Sequence, residues 1–198
     1  MKYLLLLAGA ACFAYLTLKR ESGIKSILFV GDSNTALPFS YAYKLQKQFP
    51  GIRCKILAKI GAQTGWMMDE LKKELQSKSY DAICILGGSN DIYATDSIEN
   101  AKRNLFSMYA AASSAGAMVI GITPPNKDYY TKRTEKRQRL LYELVSWIFQ
   151  QQRPGAVINF HGMTKDKAFF TSKDGFLHAQ EPAHNYLAAQ VAETLRLK

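Results

Sequence analysis

The strongest constraint on this chain is a pattern that repeats five times: a short apolar run, a small polar turn, then a stretch with helical periodicity. The apolar runs are "SILFV" (26–30), "IRCKILAKI" (52–60), "YDAICILGG" (80–88), "AMVIGI" (117–122) and "GAVINF" (155–160). Between them lie helical segments over 39–49, 66–78, 96–116 and 131–151, and a last one over 182–196. Met67, Leu71 and Leu75 share one helical face; Ala101, Leu105, Met108 and Ala112 share another, and Leu140, Leu141, Leu144, Val145 and Ile148 a third. Asp96 and Glu99 stand at capping-box spacing. Strands that alternate with helices pair in parallel, and the crossovers cover both faces of the sheet. The expected architecture is therefore an α/β three-layer sandwich. In such sheets ligands bind beyond the carboxyl ends of the strands, so the strand-end residues carry the functional question.

Those ends hold an unusual inventory. Gly31, Asp32, Ser33 and Asn34 follow the first strand; Gly61, Ala62, Gln63 and Thr64 the second; Gly87, Gly88, Ser89, Asn90 and Asp91 the third. A loop after the fifth strand brings Asp174 and His178. A serine hydroxyl becomes a nucleophile when a base takes its proton, a histidine can be that base, and a carboxylate can fix its tautomer. Backbone N–H groups at Ser33 and Gly61 and the amide of Asn90 are the kinds of donor an oxyanion needs. Taken singly, Ser33 reads as a turn or cap residue and Asn90-Asp91 as a turn; their joint placement is what points to acyl transfer. Asp32 reads as a structural residue that fixes its turn.

"GDSN" (31–34), Gly61, "GGSND" (87–91), "ITPP" (122–125) and the Asp174/His178 pair resemble, in order and spacing, the SGNH/GDSL hydrolases over residues 24–196. The resemblance implies a flavodoxin-like fold with five parallel strands in the order 2-1-3-4-5. It also implies esterase or deacetylase chemistry without metal or other cofactor. By residue it implies Ser33 as nucleophile, His178 as base, Asp174 as the acid orienting it, and Ser33, Gly61 and Asn90 as oxyanion donors. The chain departs from the family's pattern twice. Asp174 and His178 are four apart instead of three, and "IGAQTG" offers Gly65 as a substitute for Gly61. Two further histidines compete for the base. His161 follows strand five, and His184 has Glu181 three residues before it, at the usual acid-to-base spacing. Pro182 suits the first turn of the last helix, which sets His184 on the helix and leaves His178 in the loop.

The amino terminus differs in character. Residues 3–18 are apolar or aromatic apart from Thr17 and are flanked by Lys2 and by Lys19-Arg20. As a helix they would span about 24 Å at ~1.5 Å per residue, slightly less than a ~30 Å hydrocarbon core. The run reads as an apolar N-terminal helix, either a cleaved signal or, favoured here, a retained anchor. Residues 1–20 thus form an anchor or signal segment and 21–198 the hydrolase domain. Cys12, Cys54 and Cys84 do not make a disulfide framework; Cys54 and Cys84 read as small core residues. The net charge of +10 favours anionic partners, yet no zinc-ligand spacing, RNP-type motif or Gly-rich phosphate loop points to nucleic acid. A basic run, Lys127, Lys132, Arg133, Lys136, Arg137 and Arg139, opens the long helix and reads as a solvated face or an anchor point for an anionic polymer or lipid headgroup. Tyr129, Tyr130 and Trp66 are candidate sugar-stacking or packing residues.

Together these features set an expectation of a membrane-associated, cell-envelope or exported serine esterase. Its substrate would be a small acyl ester, such as an O-acetyl group on an envelope carbohydrate. The alternatives are a lipid esterase or acyltransferase of the same fold, and a non-catalytic anchored module.

Overall fold

A computed structural model describes residues 23–126, 132–165 and 178–197. The expected anchor (3–18), the 20/21 boundary, Cys12, Tyr129, Tyr130 and Asp174 lie outside the described residues. Among the described residues, no helix is long and apolar enough to cross a membrane.

Five strands form one parallel sheet: β1 (Ser26–Gly31), β2 (Arg53–Ala58), β3 (Ala82–Leu86), β4 (Met118–Ile122) and β5 (Ala156–Ile158). Their order is β2-β1-β3-β4-β5, as expected. Every residue of β1 and β3 is buried, which is why these strands read as unbroken apolar runs. Alternate residues face opposite layers. Leu28, Val30, Ile83 and Ile85 pack with Met67 and Leu71 of α3 (Thr64–Leu75), Leu105 and Met108 of α5 (Glu99–Ser114), and Leu141 and Leu144 of α6 (Lys132–Phe149). Ile27, Phe29, Cys84 and Leu86 pack with Tyr41 and Leu45 of α2 (Tyr41–Gln48) and with Leu187 and Val191 of α8 (Glu181–Thr194). β2 is an edge strand, and Cys54 on it is only half-buried, whereas Cys84 is a core residue.

Three short helices sit at strand ends: α1 (Ser33–Ala36), α4 (Ser89–Thr95) and α7 (Phe160–Met163). α1 and α4 fall in segments that read as turns in the sequence, whereas α7 begins at Phe160, which reads there as the end of the fifth strand. The capping box at Asp96 and Glu99 does not form. α5 is capped by Ile98 without a side-chain bond, while Asp96 takes a left-handed conformation (φ 50°) that ends α4. Two consecutive helices this close in sequence leave Asp96 to close the first one.

Candidate active site

β1 delivers its turn by close packing. A Cβ on Gly31 would collide with Thr35 Oγ1 and come within 3.0 Å of the Leu86 carbonyl oxygen, so this position admits no side chain. Asp32 then caps α1: its Oδ1 accepts from Asn34 N–H at 2.9 Å. Its Oδ2 accepts from Ser89 Oγ at 3.3 Å, tying the end of β1 to the end of β3. Asp32 is fully buried and structural, as expected. Ser33 becomes the first residue of α1, where its N–H has no acceptor within the helix.

The loops after β2 and β3 are gripped together. Gly88 (φ 107°) turns the chain into α4, and the next residues reach across to the β2–α3 loop. Asn90 Nδ2 donates to the Ala62 carbonyl at 2.9 Å. Asp91 accepts from Thr64 N–H at 3.0 Å and from Thr64 Oγ1 at 2.6 Å. Thr64 Oγ1 in turn accepts from Asn104 Nδ2 at 3.1 Å. Burial raises the Asp91 carboxyl above the ordinary range; the Thr64 donors oppose this, and the nearby Asp32 carboxylate adds to it. Gly61 lies in the gripped loop with φ 74°, a conformation that favours glycine. Among the described residues, neither the Ser33 nor the Gly61 N–H donates to a protein acceptor. Gly65 lies within α3 beside Asn104, not in this loop.

The histidine-bearing segment closes on the same turn. Ala179 N–H donates to Asn34 Oδ1 at 3.3 Å in a buried contact, so His178 stands one residue from a group bonded to the neighbour of Ser33. The rival histidines are removed from solvent. His184 is fully buried on α8, with the rings of Phe39 and Phe160 at 5.6 and 5.7 Å. Burial first, then Lys44, lowers its pKa to about 4; neither ring nitrogen makes a well-formed hydrogen bond, although the Ala179 backbone lies close enough to oppose the shift. Its supposed acid, Glu181, pairs instead with Lys44 at 2.7 Å. His161 is 3% exposed, with its ring against Tyr142 at 5.0 Å, and is likewise lowered to about 4, first by burial and then by Lys165.

The sequence reading missed the grip of Thr64, Asp91 and Asn104. Asn104 carried a signal: it is a polar residue beside Leu105 on the apolar stripe of α5, and it is buried. Trp66 packs against the core with Lys59 Nζ 5.7 Å from its ring, which is rim packing. In the basic run, Arg137 is an anchor for α4, bonded to Asp96 Oδ1 at 2.6 Å, and Arg139 pairs loosely with Glu143 at 3.7 Å. Among the described residues, no group of His, Cys, Asp or Glu could hold a metal ion.

No known family profile matches the chain, and no curated protein does. Solved structures do. A catalytic mutant of Axe2, an acetylxylan esterase from Geobacillus stearothermophilus, superposes with a TM-score of 0.72 at 16% identity, over 91% of this chain and 97% of that one. TesA superposes with a TM-score of 0.66 at 23% identity, over 86% and 98%. The lipase/acylhydrolase from Enterococcus faecalis gives 0.65 at 22% identity, over 88% and 98%. A lipolytic protein of the G-D-S-L family from Veillonella parvula gives 0.68 at 16%, over 85% and 96%. The chain has the fold of these proteins across nearly their whole length.

Proposed function

We propose that this chain is a serine ester hydrolase of the SGNH/GDSL type. The observation that carries the proposal is the Ala179–Asn34 hydrogen bond, which draws the His178 segment onto the Ser33 turn. The fold shared with esterases and acylhydrolases supports the same reading.

The chemistry follows from the residue types. His178 takes the proton from Ser33 Oγ as the oxygen forms a bond to the acyl carbon. The carbonyl oxygen gathers negative charge and accepts from the Ser33 and Gly61 N–H groups and from the Asn90 amide. Collapse breaks the bond to the alcohol oxygen, which leaves with the proton held by His178. Water then attacks the acyl carbon and gives a proton to His178, which passes it to Ser33 Oγ as the acyl–Oγ bond breaks, releasing the carboxylic acid and free Ser33. Asp174 orients the imidazole throughout. One hydrogen of the Asn90 amide is committed to Ala62, and that bond holds the group in place for the other.

The substrate proposed is a small acyl ester, foremost an O-acetyl group on a cell-envelope carbohydrate, with residues 3–18 holding the protein at a membrane. Hydrolysis of p-nitrophenyl acetate tests the reaction. The wild type should turn it over, and Ser33→Ala should fall to background while its unfolding transition stays intact. Equal turnover in both would remove Ser33 from the mechanism.

A further inference from the structure

We infer that Tyr93 forms a carbohydrate-binding platform beside the proposed oxyanion site, holding the alcohol part of the ester; the inference rests on the esterase reading above. Tyr93 lies three residues beyond Asn90 on α4, a spacing that sets two side chains side by side on one helix face. The other face of α4 points inward, with Ile92 fully buried and Asp91 nearly so. The outward face thus presents Asn90 and, next to it, an aromatic ring that is 59% exposed.

That ring is held rigidly. The Arg137 guanidinium stands 4.5 Å from its centroid. Arg137 is itself fixed at two points: Nε donates to Asp96 Oδ1 at 2.6 Å, and a terminal nitrogen donates to the Tyr93 carbonyl at 2.9 Å. Asp96 is the left-handed closing residue of the same helix. With one side of the ring against the guanidinium, its large exposure leaves the opposite side to solvent. A flat, immobilised aromatic surface beside the reacting centre loses little entropy when a ligand covers it.

The surroundings select the ligand class. Asn90, Asp96 and Arg137 border the ring with polar groups. A long acyl chain needs a continuous apolar trough, because its binding scales with contiguous buried area. A sugar ring offers a compact C–H face to lie on the aromatic plane and hydroxyls around its edge that suit a polar border. Acylated carbohydrate is therefore the substrate class this rim fits.

The test compares full-length wild type, Tyr93→Ala, Tyr93→Phe and Tyr93→Trp on p-nitrophenyl acetate and on an O-acetylated xylo-oligosaccharide. Tyr93→Ala should lower the ratio of kcat/KM for the oligosaccharide to that for the aryl ester roughly tenfold, the size of one good aromatic contact. The aromatic replacements should keep the ratio within about threefold, a shift smaller than one such contact. Calorimetric titration of Ser33→Ala with the same oligosaccharide, with and without Tyr93→Ala, reads the platform without turnover and should show weaker binding when Tyr93 is lost. An unchanged ratio, or equal binding with and without Tyr93, overturns the platform. Turnover of the aryl ester with no oligosaccharide turnover or binding overturns the platform alone. Turnover of neither ester overturns the esterase reading, and the titration then decides the platform independently.

Discussion

At the scale of single residues, three histidines sharing one end of the fold have been sorted by burial. His178 stays in the loop tied to Asn34, whereas His184 and His161 are packed as neutral rings. His178→Ala should lower kcat for p-nitrophenyl acetate by several powers of ten, and His184→Leu should retain turnover. The buried pair also sets an acid limit on stability. Each ring has a folded pKa near 4 against an ordinary value of 6.5. The unfolded chain therefore binds more protons between these values. The histidine contribution is complete above pH 6.5 and is lost as pH falls toward 4. From pH 7 to pH 5 each ring should remove about 2 kcal/mol of unfolding free energy. Asp91, whose carboxyl is raised, works in the opposite direction as pH falls, and the lowered Glu74 and Asp81 act mainly below this window. Urea denaturation at the two pH values checks this. His184→Leu should show a smaller drop than wild type, and an equal drop would mean that His184 is not buried neutral.

At the scale of elements, the first turn of α4 does the positioning. Asn90 and Asp91, adjacent in sequence, seize Ala62 and Thr64 at two points of one loop, so the candidate amide donor and the loop holding Gly61 are set against each other. Asn90→Ala should cost ~10²–10³ in kcat with little change in KM. Thr64→Val, which keeps the shape and removes the hydroxyl, should cost about 1.5–3 kcal/mol of stability, as expected for a hydrogen bond to a charged group. It should also lower kcat, while Thr64→Ser restores both. An unaltered kcat in a destabilised Thr64→Val protein would make the grip structural only. The sheet was legible in the sequence because strands buried on both faces, such as β1 and β3, read as unbroken apolar runs. The helices were legible from their stripes. The grip was not: a bond from Asp91 to Thr64 joins residues that no periodicity links, and GGSND looks the same as a turn until α4 is seen to begin at Ser89. Arg137 was hidden for the same reason, since its partner Asp96 also satisfies the spacing of a cap that does not form.

At the scale of the whole molecule, the parallel sheet separates two ends. The candidate site gathers beyond the carboxyl ends of the strands, while β1 begins at the opposite edge. Residues 3–18, joined ahead of β1, are proposed as a membrane anchor. If residues 3–18 form that anchor, fractionation should find the full chain in the membrane pellet and a chain starting at residue 21 in the soluble pool. Recovery of a mature form starting near residue 20 would identify a cleaved signal instead. The proposed chemistry itself is tested most directly by treating the full-length protein with a fluorophosphonate and locating the adduct by peptide mass spectrometry. One modified site is expected, Ser33, with labelling abolished in Ser33→Ala and greatly slowed in His178→Ala. Folded wild-type protein that stays unlabelled, or an adduct on any other residue, would contradict it.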